Sequence, residues 1–448
     1  MNHIVAAVLA HIHRGAVIAL AFAGIILTGA LLLMLPWSQS GAREIRFIDA
    51  LFAATSAIST TGIVTINLQA DLSVLGQVIM IILIQIGGIG IMTIMTMIGI
   101  YAGKRIGLQE RLLIQDSFNL HNPAGMVLLV KKIALFTFLI EFCAGTALAC
   151  YFYPMMGGKG IYWGYWHAVS AFCNGGFDIM GSDPGFSVYA GNLFIAIVIS
   201  VTSTLGGMGF IVIDDVLRKR SWHRLALHTR IVLLAGAAFV TTGMFLIYFM
   251  EASNPGTLGP YSEDKKWIIS FFMSVSSRMS GFSMLDIGSF QESTEAVITL
   301  FMFVGAAPVS TGGGIRTTTF VILLLASMQW VRGRQNLVIF HRRIDSFLIL
   351  KSLSIFVLSA GWVFLAFVSL LWFDNMHYPA DQILMELVSA FSTVGYSAGL
   401  APAWNDTCKA IMIMTMFVGR VGMLTVVLSF ARQRKDRIQY PAENVVVG

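Results

Sequence analysis

Apolar residues run along this chain in long unbroken stretches. Eight of them, at 14–36, 74–101, 125–153, 190–215, 230–250, 294–331, 346–373 and 408–431, reach the roughly 20 residues needed to cross a hydrocarbon core. Between the two members of each successive pair lies a shorter, part-apolar segment that ends in glycine. These segments are FIDALFAATSAISTTG (47–62), GYWHAVSAFCNGG (164–176), WIISFFMSVSSRMSG (267–281) and DQILMELVSAFSTVG (381–395). About a dozen residues are too few to cross as a helix, so each segment is expected to enter and return on one side. Irregular backbone at that depth is tolerated only against protein or a water-filled cavity.

The terminal glycines, Gly62, Gly176, Gly281 and Gly395, recur at intervals of 114, 105 and 114 residues, which points to one unit used four times. Six residues upstream stand Ser56, Ser170, Val275 and Ser389; Ile63, Phe177, Phe282 and Tyr396 follow. Two spans return the chain to its starting side, so successive units share one orientation, unlike the inverted repeats common in secondary transporters. The predicted fold is an all-α polytopic membrane protein with eight transmembrane helices. Four parallel span–re-entrant pore loop–span repeats surround a central pore with pseudo-fourfold symmetry. Their bounds are 14–104, 120–220, 228–334 (with a broken second helix) and 345–431, followed by a cytoplasmic tail at 432–448.

Composition agrees: 56% of residues are apolar, 12% are charged, and the mean hydropathy is +0.78, against about 25% charged in soluble domains. Spans and short loops leave no room for a soluble catalytic or nucleotide-binding domain. The net charge of +6 gathers at 104–132, 218–230, 332–343 and 432–437, while the loops at 37–49, 151–165, 254–266 and 374–381 carry few basic residues. The positive-inside rule therefore puts both termini and the basic clusters in the cytoplasm, with the glycines toward the outer face of the cell membrane. Basic loops also suit anionic lipid. The run 16–35 lacks a cleavage pattern and reads as a span, not a signal peptide. The four cysteines show no CxxC spacing and the nine histidines no HExxH, so no enzyme signature is present.

A cation leaving water needs oxygen ligands, and rings of backbone carbonyls supply them. Glycine lets such carbonyls turn inward, and a short helix aims its partly negative C-terminus at the ion. Candidate ion-binding positions are the four glycines with Thr60, Thr61, Asn174, Gly175, Ser280, Thr393 and Val394, as ligands or as braces for the loops. Close helix packing is the competing explanation for any one glycine. The second span of each unit carries a glycine-rich interruption: 87–90, 206–209, 306–314 and 419–422. The third is longest and holds Pro308, so this helix should break. Ser310, Thr311, Gly312, Gly313 and Gly314 are candidate gate residues, and a kink for packing is the alternative. Arg420, an intramembrane charge, faces the pore as a barrier, latches the 306–314 carbonyls, or pairs with Glu141 or Asp214. Arg278 and Arg316 brace the loops, and Asp214 and Asp215 attract cations or simply solvate a helix end.

The recurrent SxxSTTG, SAFCNGGF, SSRMSGF and SAFSTVGY segments, with the odd third second-helix, resemble the Trk/Ktr/HKT superfamily of potassium transporters from Arg14 to Arg437. The resemblance implies a four-glycine potassium filter, an intramembrane gating loop at 306–314, and Arg420 beside it. Glycine at position 62, where sodium-conducting members have serine, implies K+. Eight spans look more like the Ktr membrane subunit of the bacterial inner membrane than the longer Trk one. That implies a homodimer docked on a cytosolic RCK-type, KtrA-like nucleotide-binding ring. ATP, ADP or NAD would then act through the partner, with Na+ as a further activator. Met279 departs from the polar residue found two positions before the other three glycines, which leaves the third unit's ligand geometry open. A Na+- or H+-coupled secondary cation transporter is the rival reading.

Overall fold

The computed structural model describes residues 14–101, 126–180, 186–334, 336–374 and 376–430. The basic run at 104–125, the cluster at 432–437 and the tail at 432–448 lie outside them. In the first unit, α1 (Arg14–Leu33) is followed by α2 (Phe47–Ser59), α3 (Val74–Ile89) and α4 (Ile91–Tyr101). The second holds α5 (Met126–Met156), α6 (Gly158–Phe172), α7 (Leu193–Met208) and α8 (Phe210–Lys219). The third holds α9 (Leu227–Glu251), α10 (Glu263–Met279), α11 (Glu292–Phe303) and α12 (Thr317–Val331). The fourth holds α13 (Ser346–Phe373), α14 (Ala380–Ser392), α15 (Asp406–Val421) and α16 (Met423–Phe430). A two-residue hairpin, β1 (Val338–Ile339) with β2 (Arg342–Arg343), joins the last two units.

Among the described residues, α5, α9 and α13 are long and apolar enough to cross a membrane on their own. The second spans at 74–101, 190–215 and 408–431 are each divided at the last glycine of their interruption, Gly90, Gly209 and Gly422, with φ of +91°, +92° and +91°. Other L-residues rarely adopt that conformation. At Gly209 the chain turns by 96° between α7 and α8. The third unit breaks more widely, between Phe303 and Thr317.

Apolar side chains face outward as well as filling the core. Leu20, Leu31, Phe138, Phe142, Phe249, Phe364 and Trp372 are exposed on the long helices, whereas Thr55, Ser56, Ser170, Ser276 and Ser389 on α2, α6, α10 and α14 are buried. Exposed apolar side chains suit a lipid-facing surface, while the hydroxyls of the short helices pack within a core that is itself largely apolar. Each short helix packs on its own unit's flanking helices and on the preceding unit's second helix: α6 on α3, α10 on α7, α14 on α11 and α2 on α15. The packing thus passes from each unit to the next and from the last back to the first.

The α2–α15 contact carries an ion pair. Asp49 accepts from Lys409 Nζ at 2.8 Å, both side chains being almost wholly buried, and Arg46 Nε reaches Asp49 at 3.1 Å. Lys409→Met leaves a buried carboxylate short of its partner, which costs about 3 kcal/mol. A lowered thermal unfolding midpoint in detergent, partly restored by adding Asp49→Asn, is the expected result.

Asp214 and Asp215 do more than solvate a helix end. Asp214 pairs with Lys132 at 2.6 Å and with Arg218, and Asp215 accepts from Ala226 N–H at 2.8 Å, from Thr229 Oγ1 at 2.7 Å and from Lys219. They fasten α8 to α5 and to the start of α9.

Candidate functional site

Three of the four short helices end alike. Thr60, Asn174 and Thr393 adopt left-handed conformations, with φ of +56°, +56° and +51°. The next amide then folds back on the helix: Thr61 N–H donates to Ser56 O at 2.8 Å, Gly175 to Ser170 at 2.7 Å and Val394 to Ser389 at 3.0 Å. This is the Schellman ending, in which small polar residues tolerate the left-handed position. The third unit has Met279 there, a side chain poorly suited to positive φ. Its helix therefore runs through Met279, and Ser280 and Gly281 both donate to Ser276 O. The sequence departure has a structural consequence.

The four glycines meet. All have positive φ: +98° at Gly62, +67° at Gly176, +70° at Gly281 and +107° at Gly395. A methyl group on Gly62 would lie 2.6 Å from the carbonyl oxygen of Gly175, and one on Gly176 would lie 2.5 Å from that of Ser280. A methyl on Gly281 would strike the carbonyl of Val394, and one on Gly395 that of Thr61. Each turn backs on to the next, in the order first, second, third, fourth, first. Side chains are excluded here because neighbouring backbone fills the space.

The hydroxyls near the ring brace it. Ser56 Oγ accepts from Gly62 N–H at 3.1 Å, and Ser389 Oγ accepts from Gly395 N–H at 3.0 Å. Ser170 Oγ donates to Phe177 O at 2.9 Å; the third unit, with Val275 at this place, uses Ser276 on Phe282 O instead. Thr61 Oγ1 meets Ser59 Oγ at 2.6 Å, and Ser280 Oγ donates to Ser276 Oγ at 3.2 Å. Thr61 and Ser280 thus turn their side chains to their own helices, leaving their carbonyls to the ring.

The 306–314 loop lies against the helix ends just below the ring. Thr311 is its anchor: its N–H donates to Gly206 O at 3.3 Å, and its carbonyl accepts from Thr60 Oγ1 at 3.1 Å. Asn174 accepts from Thr311 Oγ1 at 2.6 Å and from Gly207 N–H at 3.0 Å, and donates to Ser203 O at 3.1 Å. Gly313 packs on Thr393 and Gly314 on Ser392, where side chains would collide. Ser310 Oγ donates to Ala307 O at 2.6 Å. The loop therefore touches three of the four turns. Val309, β-branched, sits at φ +59°, a strained conformation.

Arg420 supplies the clasp. Its guanidinium donates to Thr311 O and Gly87 O, and to Thr60 Oγ1 at 3.0 Å. It pairs with neither carboxylate considered for it: Glu141 accepts from Gln85 at 3.0 Å, and Asp214 is taken by Lys132 and Arg218. Arg316 holds the loop from within, on Gly312 O. The glycine-rich interruptions explain the placement. Gly87, Gly206 and Gly419 press on the carbonyls of Ile58, Phe172 and Phe391, each four residues before a ring glycine. One residue later, Gly88 and Gly207 press on Cys173 and Met279 of the following unit. Arg420 occupies that second position in the last unit, so its side chain points at the first unit's turn.

Two buried residues escaped the sequence reading. Glu386 accepts from Ser397 Oγ at 3.0 Å and from Ala401 N–H at 3.2 Å, and His167 Nε2 accepts from Ile179 N–H at 3.4 Å. Both stand nine residues before their ring glycine and hold the segment that follows it. The signal was there, a titratable residue at one offset in two repeats.

The Cation transport protein model of the TrkH family matches residues 25–439. The Ktr system potassium uptake protein B of Bacillus subtilis is 38% identical over 96% of each chain. Its namesake from Vibrio alginolyticus is 33% identical over 96% of this chain and 94% of its own. The crystal structure of the potassium transporter TrkH from Vibrio parahaemolyticus superposes with a TM-score of 0.74 at 15% identity, covering 94% of this chain and 85% of that one, which establishes the fold. These are transporters, not enzymes, as the missing catalytic motifs foretold. With the family model matched over most of its length and two near-full-length relatives above 30% identity, the chain belongs to the TrkH family of cation transport proteins.

Proposed function

We propose that this protein is a potassium-uptake subunit conducting K+ down its electrochemical gradient through a filter built on Gly62, Gly176, Gly281 and Gly395. The observation that carries the reading is the closed ring of four positive-φ glycines, each backed by its neighbour's carbonyl. The ligands are the backbone carbonyls at and before the glycines, those of Thr61, Gly175, Ser280 and Val394 among them. Thr60, Asn174 and Thr393 form the inner lip. Such dipoles, fixed in place, replace a hydration shell at low cost. The cyclic packing of the short helices supports four like-oriented units with pseudo-fourfold symmetry and eight crossings. The gate is the 306–314 loop, clasped by Arg420. Two copies form a homodimer in the cell membrane, termini inward, and the basic loops dock a cytosolic nucleotide-binding ring that answers to ATP, ADP or NAD.

Rubidium or potassium uptake by the purified chain in liposomes tests this. Saturable K+ competition with weak inhibition by Na+ and Li+ is expected; uptake tied to a fixed stoichiometry of Na+ or H+ would favour a coupled transporter instead. Val309→Gly relieves backbone strain in the loop as seen here. It should deepen closure and lower basal uptake by roughly fivefold, a shift of about 1 kcal/mol.

A further inference from the structure

The broken helix of the third unit has a closed neck. Gly305 N–H donates to Ile315 O at 2.8 Å, Thr317 N–H to Ala306 O at 3.2 Å, and Thr317 Oγ1 to Gly305 O at 2.8 Å. The two ends of the loop are thereby pinned together, as in an Ω-loop. A side chain from outside the loop reaches this neck: Arg278 Nη2 donates to Thr317 Oγ1 at 3.1 Å.

Arg278 stands three residues before Gly281, in the last turn of α10, and is 1% exposed. Its guanidinium lies 4.7 Å from the ring centroid of Phe239 on α9 and beside Gly236, one turn away. Among the described residues it forms no ion pair, and its Nε and Nη1 make no hydrogen bond. A desolvated cation without a counter-charge is expensive and is kept where it has a task. The other units have Ser59, Cys173 and Ser392 at this offset. The one unit with an arginine here is the one whose second helix opens into a loop.

We propose that Arg278 is a positioning residue that couples the gate to the filter: through Thr317 it ties the neck of the loop to the helix that carries the third filter turn. The inference rests on the conduction reading. The third turn is the one without a left-handed cap, so Ser280 and Gly281 continue directly from the helix end that Arg278 holds. Movement of the neck is transmitted to Gly281, and the loop's position then sets ion discrimination as well as flux.

The test uses the full chain in liposomes, with rubidium uptake and sodium competition, for Arg278→Met, Thr317→Val, Thr317→Ser and the Arg278→Met/Thr317→Val pair. Arg420→Ala serves as a reference for the gate. Loss of a hydrogen bond from a buried charge should lower the K+-over-Na+ ratio about tenfold in each of Arg278→Met and Thr317→Val. The double variant should fall no further than either single, and Thr317→Ser, which keeps the hydroxyl, should match the wild type. Multiplying effects in the double variant would mean independent sites and overturn the coupling. So would altered flux at an unchanged ion ratio, which a merely structural neck would give. Should Arg278→Met not fold, the Thr317 pair decides: valine must lower the ratio and serine must not. If Arg420→Ala changes flux while the Arg278 and Thr317 variants behave as wild type, the coupling falls and the gate stands. If none of the variants moves uptake or ion ratio, the conduction reading falls with it.

Discussion

Gly62→Ser is expected to erase most of the preference for potassium over sodium. Gly62 sits at φ +98°, and any Cβ there would lie 2.6 Å from the Gly175 carbonyl oxygen and 3.3 Å from the α-carbons of Gly176 and Gly395. Serine must therefore push the second and fourth turns away or drag its own backbone out of the left-handed region. Either response moves carbonyls that the neighbouring turns hold in place. Holding a side chain at such a φ costs about 1–3 kcal/mol. If that penalty falls on ligand geometry, the K+/Na+ ratio drops on the order of tenfold or more. Competitive uptake in liposomes reads the ratio directly, and an unchanged ratio would remove Gly62 from the filter.

Serine at this place also separates geometry from bracing. Ser56→Ala removes only the hydroxyl that accepts from Gly62 N–H at 3.1 Å, a loss of about 1 kcal/mol. Its effect on the ratio should be the smaller of the two.

Much of this site was legible in the sequence because its physics is local. A glycine that must take positive φ and leave room for a neighbour's carbonyl leaves a mark in any sequence, and four such marks at even spacing disclosed the ring's membership. The length of the short segments set them apart from crossing helices for the same reason, since a membrane sets a minimum span. What stayed hidden depends on contacts between units. Nothing in residues 87–90 or 206–209 says whether their glycines serve packing or a break. The structure has both: the first glycine admits a helix end, and the last stops the helix. Nor could spacing choose Arg420's partners, because Thr60 and Gly87 lie more than 300 residues away in the chain, brought near by closure of the cycle. A lone buried acid or histidine, such as Glu386 or His167, reads as packing until its backbone partners are known.

Arg420→Ala is expected to raise uptake in the absence of any cytosolic partner. One guanidinium ties the fourth unit to two others: to the third unit's loop through Thr311 O, and to the first unit at its glycine turn through Thr60 Oγ1 and at its second helix through Gly87 O. Alanine deletes these bonds and the positive charge together. Thr311 would keep Gly206, Asn174 and Thr60 as partners, so the loop is loosened, not released. Hydrogen bonds from a charged donor contribute about 1.5–3 kcal/mol each. Losing even one that is specific to the closed loop shifts the open population by about tenfold or more. The freed space lies below the ring, where a cation leaving the filter would otherwise meet a fixed positive charge. Both consequences act in one direction, and a lysine at 420 distinguishes them. Lysine restores the charge but not the planar fork that reaches several acceptors at once. Uptake that stays high in Arg420→Lys assigns the closed state to the clasp. Uptake that returns to the wild-type level assigns it to electrostatic repulsion. Uptake that falls or stays flat in Arg420→Ala, with the protein folded and selective, would mean that the loop is not held shut by this residue.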